Sequence, residues 1–460
     1  MAIKSAAGRG LLFGTVLGSS LAILDGSVVN VALPHIGRDL HASLGGLQWT
    51  VNAYLLPLAA FVLIGGALGD RFGRRRTFVL GVVWFTIASV LCGLAPNIGL
   101  LIAARALQGC GSALLTPGSL SLIQSSLRPD DRARAIGLWA GLGGVASACG
   151  PLLGGFLIDA LNWRWIFFIN VPIALICILI TLRFVPESRD LEVRGRFDIA
   201  GSALGAVGLG ALTYALVDGV WPAGVAGALA LVGFVIREMR TRDPMMPTSM
   251  FRSTEFSVIN LVTLLIYGAL GGLIFFLILQ LQQVTGFSAL QAGAATIPLT
   301  VILLLGSSRA GALGKRIGAR LPIGIGAAVA AVGFGLLIGV GADTNYWRDV
   351  LGPIVIAGAG MTLLVAPLTA TVLAAAPNHL AGVASGINNA VARSGSLLAV
   401  AALPLVAGLS GEEYSDPQAL THAYRIAIAV CAGLLAFSSI LAFALLPSRS
   451  ADSLVTSSES

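Results

Sequence analysis

The sequence predicts an all-α polytopic membrane protein, with fourteen spanning helices arranged as two six-helix halves plus two extra linker helices. Three observations point there. Of 460 residues, 56% are hydrophobic and only 11% are charged, against roughly 25% charged in soluble domains. The charged residues that remain alternate between crowded and nearly empty loops. A ten-residue motif also recurs 245 positions after its first appearance. At roughly 20 apolar residues per span, a chain of this length has room for about twelve to fourteen helices and little else.

Apolar runs bounded by Arg, Pro or Gly clusters place helices near 10–33, 50–69, 77–95, 99–125, 135–159 and 165–185. The first follows Lys4 and Arg9 as a secretory signal would. It continues for more than 20 residues, contains Asp25 and lacks an A-x-A site, so it reads as a retained helix. Val185 to Asp198 is polar and precedes a run near 199–217 and a shorter one near 221–236, at the low end of spanning length. Arg237 to Glu255 is polar again. Six runs follow, near 256–281, 289–309, 321–341, 350–374, 383–409 and 423–446. The chain divides into an N-terminal half (1–186), a linker with the two extra helices (187–254), a C-terminal half (255–447) and a cytoplasmic tail (448–460).

A net charge of +7 would suit nucleic acid, so the position of each charge decides the matter. One set of alternate loops holds Lys4 and Arg9; Arg71, Arg74, Arg75 and Arg76; Arg128, Arg132 and Arg134; Arg183, Arg189, Arg194 and Arg196; Arg237, Arg240, Arg242 and Arg252; Arg309, Lys315, Arg316 and Arg320; and Arg449. The intervening loops hold Arg38, Arg164, Arg348 and Arg425. By the positive-inside rule both termini lie in the cytoplasm, and the positive charge serves topology and membrane lipids. No nucleic-acid partner is expected. Arg105 and Arg393 fall inside apolar segments, where a charge costs at least a few kcal/mol.

The repeat pairs Gly66-Ala-Leu-Gly69-Asp70-Arg71-Phe-Gly73-Arg74-Arg75 with Gly311-Ala-Leu-Gly314-Lys315-Arg316-Ile-Gly318-Ala-Arg320, identical at seven of ten positions. Both copies join a second and a third helix of their half and belong on one side, so an even number of extra spans separates the halves. Two halves related by an axis along the membrane normal build the major facilitator fold, with its substrate site near midplane. Here the resemblance becomes specific. The Gly69-Asp70-Arg71-Phe72-Gly73-Arg74-Arg75 segment resembles that superfamily's cytoplasmic signature loop. Leu24-Asp25-Gly26-Ser27-Val28-Val29-Asn30-Val31-Ala32-Leu33-Pro34 is similar to the first-helix motif of its fourteen-helix drug:proton antiporter branch. Arg105-Ala-Leu-Gln108-Gly109-Cys-Gly111 resembles the fourth-helix arginine motif, and Gly150-Pro151-Leu-Leu-Gly154-Gly155 the fifth-helix antiporter motif, with Ala146 standing where the family has glycine.

Asp25 is the deep carboxylate, ~22 Å from the first helix's start at a rise of ~1.5 Å per residue. Arg105 enters from the opposite face by ~9 Å and so shares its depth. An intramembrane acid that changes charge is a natural proton carrier; a purely structural ion pair is the alternative. Arg393 lies ~15 Å into its helix, near Asn388 and Asn389, a set suited either to substrate or to stitching helices together. Asn30, Tyr54, Gln108, Tyr267 and Phe275 complete the candidate cavity, with Phe276 beside it. Gln280, Gln282 and Gln283 cluster at an outer helix end. In the signature loop, Gly69 and Gly73 permit a tight turn, and Asp70 offers a latch through an arginine or a helix N-terminus. Lys315 replaces that acid in the second copy. Gly150, Pro151, Gly154 and Gly155 predict a bend and close helix contact.

Several features argue against other chemistries. No G-x-x-x-x-G-K-[ST] occurs, since Leu313-Gly314-Lys315-Arg316 lacks the first glycine and the hydroxyl. His35, His41, His379 and His422 are placed at or beyond helix ends without ligand spacing. Cys92, Cys110, Cys149, Cys177 and Cys431 read as single small core residues, and Gly411 to Pro417 as a solvated outer loop. No metal or cofactor is expected beyond the proton gradient as energy source, and no enzymatic activity. The expectation is a monomeric, proton-coupled exporter in a bacterial cytoplasmic membrane, working by alternating access. Its multidrug substrate class, small hydrophobic or cationic compounds, is what the resemblance implies. A dedicated exporter of one metabolite or self-made antibiotic, and a channel or sensor without active transport, are the alternatives. An accessory periplasmic partner is left open.

Overall fold

A computed structural model describes residues 1–189, 198–241, 244–377 and 380–447. Arg194, Arg196, Arg242, His379, Arg449 and the tail 448–460 lie outside the described residues. Within them are fourteen helices long and apolar enough to cross a membrane. These are α1 (Ala6–Asp39), α2 (Leu44–Phe72), α3 (Arg74–Gly93), α4 (Ile98–Ser126), α5 (Pro129–Ala160), α6 (Trp165–Phe184) and α7 (Ile199–Asp218). The rest are α8 (Trp221–Arg240), α9 (Thr254–Gln283), α10 (Ala289–Ile317), α11 (Arg320–Leu337), α12 (Tyr346–Ala374), α13 (Ala381–Val406) and α14 (Pro417–Leu445).

Local chemistry sets many of the ends. Ser5, Ser43, Asn97, Asp198, Ser253, Ser288 and Asp416 each accept a backbone N–H of the following turn, satisfying donors a helix start leaves unpaired. The signature segment is helical except at one residue: α2 runs through Phe72 and α3 begins at Arg74, with Gly73 turning between them at φ +115°. Gly318 turns the second copy at φ +85°. Only glycine adopts such angles without strain.

Helix pairing repeats between the halves. α1 packs on α4, α5 and α6, α4 on α2 and α3, and α3 on α6; α9 packs on α12, α13 and α14, α12 on α10 and α11, and α11 on α14. The halves meet where α2 lies on α13 and α5 on α10. α7 and α8 pack on each other, with α7 wedged against α2 and α13.

We call the face bearing the N-terminus near and the opposite one far. At the far face, Gln48 on α2 donates to the Val400 and Ala401 carbonyls of α13 at 2.8 and 3.1 Å. Gln282 on α9 donates to the Val31 carbonyl of α1 at 2.9 Å. The Gly411–Pro417 segment is more than a solvated loop. Its Glu412, Glu413 and Asp416 are exposed, but Tyr414 is buried and donates to the Ala42 carbonyl at 2.8 Å, and the Gly411 carbonyl accepts from Leu44 N–H at 2.8 Å. The loop straps one half to the other.

Two smaller expectations are corrected. His35 lies within α1 and His422 within α14, because both helices extend past the apolar runs that the sequence offers as markers. Cys149 is exposed and Cys110 half-buried, so neither is a core residue. Gln280 is buried, donating to Val340 and Thr421.

At the near face, Asp198 caps α7 and pairs with Arg237 of α8 at 2.7 Å. Burial opposes its ionised form, but the Gly201 N–H and the Arg237 guanidinium outweigh that and hold the carboxyl below its usual range. Ser188 and Met245 flank α7 and α8. With two spans between them, cysteines placed there are both expected to label from one side with an impermeant maleimide. Labelling from opposite sides would remove one of the two helices from the membrane.

Candidate proton and substrate site

The charged centre forms where α1, α2, α4 and α6 converge. Asp25 and Arg105 are each 1% exposed and form an ion pair, so the depth arithmetic that places them together holds. Arg105 also donates to the Thr50 carbonyl at 3.1 Å and to Gln108 Oε1 at 2.7 Å, and its guanidinium stacks 4.4 Å from the Tyr54 ring centre. Gln108 Nε2 donates to Asp25 Oδ1 at 2.7 Å, and Asn170 Nδ2 approaches the same oxygen at 3.4 Å. Ser89 positions Asn170 by accepting from its Nδ2 at 3.0 Å. Tyr54 shares a 2.7 Å hydrogen bond with Ser112. A charge pair in hydrocarbon needs its remaining donors and acceptors engaged, and these partners engage both Asp25 oxygens and the Nε and Nη1 of Arg105. Gly109 makes the arrangement possible, because a Cβ there would strike the Tyr54 carbonyl and force α4 away from α2.

Asn170, Ser89 and Ser112 were not among the residues the sequence singles out. The available signal was a polar side chain inside an apolar run, which is too common in membrane helices to select them.

Tyr54 and Gln108 therefore belong to the charged centre and not to the substrate cavity. Phe275 is fully buried edge-to-face against Phe276 at 5.5 Å, in the core of its half and away from the cavity. Asn30 donates to the Gly26 carbonyl of its own helix at 3.0 Å. Tyr267, Asn388 and Arg393 do come together. With Thr369, Ser385 and Asn389 they line a cavity of about 160 Å³ in the near half of the C-terminal bundle. Asn388 also donates to Asn260 and Thr263 of α9 at 3.1 and 2.9 Å, so it both stitches helices and faces the cavity.

The glycine motif of α5 presents two faces. Cβ atoms at Gly150 and Gly154 would collide with Ser27 and Val28 of α1, one turn beyond Asp25. Gly155 lies against the Leu290 backbone of α10, and Gly293 of α10 against the Pro151 carbonyl. Asp159, missed in the sequence, completes the joint at the far end of α5, accepting from Ser288 Oγ at 2.7 Å and from the N–H groups of Ala289 and Leu290 at 3.2 and 3.0 Å. The motif thus connects the helix carrying Asp25 to the opposite half.

In the signature loop Asp70 accepts from Arg74 Nε at 2.7 Å. Glu187, also missed, caps α3 by accepting from Arg75 and Arg76 N–H at 3.0 and 3.2 Å, and a Cβ on Gly73 would sit 2.8 Å from its Oε1. The two acids have different tasks. A part-exposed i,i+4 pair contributes under about 1 kcal/mol, so Asp70→Asn is expected to lower transport with little loss of expression, and Lys315→Gln to be milder. Glu187→Gln should cost about 1 kcal/mol of stability, read as a lower melting temperature in detergent. Equal transport losses for Asp70→Asn and Lys315→Gln would reduce both loops to topology.

Residues 15–400 match the profile of the Major Facilitator Superfamily. The chain is 36% identical over 406 residues to multidrug resistance protein Stp of Mycobacterium tuberculosis, covering 85% of this chain and 74% of that one. It is 33% identical over 426 residues to the tetracenomycin C resistance and export protein of Streptomyces glaucescens, covering 90% and 79%. A crystal structure of a POT family transporter with a thioalcohol-conjugated peptide superposes with a TM-score of 0.73 at 15% identity, covering 96% of this chain and 97% of that one.

Proposed function

The chain belongs to the Major Facilitator Superfamily, a multi-pass membrane transporter and not an enzyme, and from that membership we propose that it is a proton-driven exporter with Asp25 as the proton carrier. One observation carries the reading: a carboxylate buried deep within a spanning helix is gripped by Arg105, Gln108 and Asn170, and that helix rests against the glycine face of α5.

Protonating Asp25 removes its charge and weakens the hold of α4 on α1. Hydrogen bonds to charged groups contribute about 1.5–3 kcal/mol each, enough to move a two-state equilibrium by about ten- to a hundredfold. Arg105 keeps the Thr50 carbonyl, Gln108 and the Tyr54 face in either state. α1 is then free to slide on Gly150 and Gly154, and α5 couples that slide to its joint with α10 at the far face. The protonated carrier makes the return from far-open to near-open and gives up its proton on the near side as substrate binds, and the ionised, loaded carrier makes the outward step. Parting of the Gln48, Gln282, Asp159 and Tyr414 contacts would open that side, as alternating access requires.

Cytoplasmic termini in a bacterial cytoplasmic membrane and function as a monomer complete the proposal. Hydrophobic substrates find Val372, Leu373 and Ala392 in the cavity wall; cationic ones find no carboxylate among its lining residues. A dedicated exporter of one compound is the second reading, supported by the relative named for tetracenomycin C alone. Inverted vesicles offered a panel of dyes and antibiotics should accumulate substrate only while a proton gradient stands. Accumulation indifferent to an uncoupler sinks the proton-driven reading, and a single accepted compound favours the dedicated one.

A further inference from the structure

We propose that the cavity beside Tyr267 is an oxyanion anchor, and that the transported molecule carries a carboxylate or phenolate which Arg393 receives. This rests on the exporter reading and names its substrate class. Among the described residues Arg393 has no ion-pair or hydrogen-bond partner, although it is half-buried at a depth where a charge is costly. Arg105, by contrast, is fully buried and bonded to Asp25, Gln108 and the Thr50 carbonyl. The contrast is informative. Arg105 spends its donors on protein acceptors within the bundle, whereas Arg393 faces a polar-walled cavity that can admit one.

The lining supports that assignment. Asn388, Asn389, Ser385, Thr369 and Tyr267 supply neutral amide and hydroxyl groups, and no carboxylate competes for the guanidinium. Arg393 offers a planar fork of donors that matches a carboxylate with two parallel hydrogen bonds. A volume of about 160 Å³ is well below the 300 Å³ and upward of pockets that enclose a drug-sized molecule. It accommodates one functional group, leaving the apolar body of the substrate toward the space between the halves. Arg393 sits ~18 Å along α13 by helix rise, at the deep end of a cavity whose other wall residues, Ser385 and Leu373, lie nearer the near face.

Position also links the anchor to the proton site. Arg393 lies within electrostatic reach of both Tyr54 and Tyr267, and Tyr54 stacks on Arg105.

The test uses three fluorescent probes with one skeleton: 9-anthracenecarboxylic acid, its methyl ester and 9-(aminomethyl)anthracene, titrated into the purified full-length protein. The acid is expected to bind about tenfold tighter than the ester, the gain of a charge-assisted hydrogen bond, and tighter still than the amine. Arg393→Gln should erase the preference for the acid while ester affinity stays within about twofold, and Arg393→Lys should keep part of it. The wild-type ranking decides the matter even if Arg393→Gln fails to fold. Equal binding of acid and amine, a preference for the amine, or no binding of the acid overturns the proposal. Failure of the exporter reading would show separately, as vesicles that accumulate no compound in an uncoupler-sensitive way.

Discussion

Asp25→Asn is expected to lower uphill export by about two orders of magnitude, a shift of the kind that separates the two ends of a switching equilibrium, while the protein still folds. The amide neither binds nor releases a proton, so the centre is fixed in the neutral state. Folding survives because Arg105 retains the Thr50 carbonyl at 3.1 Å, Gln108 Oε1 at 2.7 Å and the face of Tyr54 at 4.4 Å. One local conflict is introduced: the substituted amide has a single acceptor oxygen where Asp25 uses both of its own, one for Arg105 and one for Gln108 and Asn170. That costs about 1 kcal/mol, far less than the whole stability of a folded domain. Downhill exchange and substrate binding should persist. The measurement is proton release on adding substrate to purified protein. Release that continues unchanged in Asp25→Asn would assign coupling to another group.

How much of this was legible beforehand depends on what each residue needed. Asp25 and Arg105 could be paired because a helix advances ~1.5 Å per residue, so depth follows from counting. Azimuth does not follow. Tyr267 and Phe275 lie on one helix, yet one lines the cavity and the other is buried in the core, and the hydrophobic pattern of a helix that is apolar all round does not separate them. Gln108 was recognised by its motif and assigned to the wrong neighbour for the same reason. Glu187 and Asp159 were invisible for a different cause: each caps a helix more than 100 positions away in the chain, and a lone acid in a connecting segment or at a helix end carries no mark of a distant partner. The four-helix convergence around Asp25 is tertiary information. The glycines of α5 signalled close contact, but not that Gly150 and Gly154 face α1 while Gly155 faces the other half.

Arg105→Ala should be far more damaging than Asp25→Asn, because the two charges are not equally provided for. Without the guanidinium, the Thr50 carbonyl loses its side-chain donor, Tyr54 and Phe167 lose the group they flank at 4.4 and 5.9 Å, and a large buried side chain is replaced by a cavity. Breaking a buried pair from one side typically costs about 3–5 kcal/mol. The carboxylate left behind has only Gln108 and Asn170 as partners and a costly buried charge, so surviving protein should be transport-dead as well as unstable. Arg105→Lys is expected to rescue little, since a compact ammonium cannot reach Asp25, Gln108 and the Thr50 carbonyl together or stack on Tyr54. The double variant Asp25→Asn/Arg105→Gln removes both charges, and a neutral pair should restore most of the expression and melting temperature lost in Arg105→Ala without restoring export. Stability and transport would then separate: the pair stabilises the fold only as a pair, and the proton site works only with the acid present. A double-mutant cycle in the melting temperature with coupling near zero would show that the two residues do not act as a unit, and export by Arg105→Ala at the wild-type rate would remove Arg105 from the mechanism.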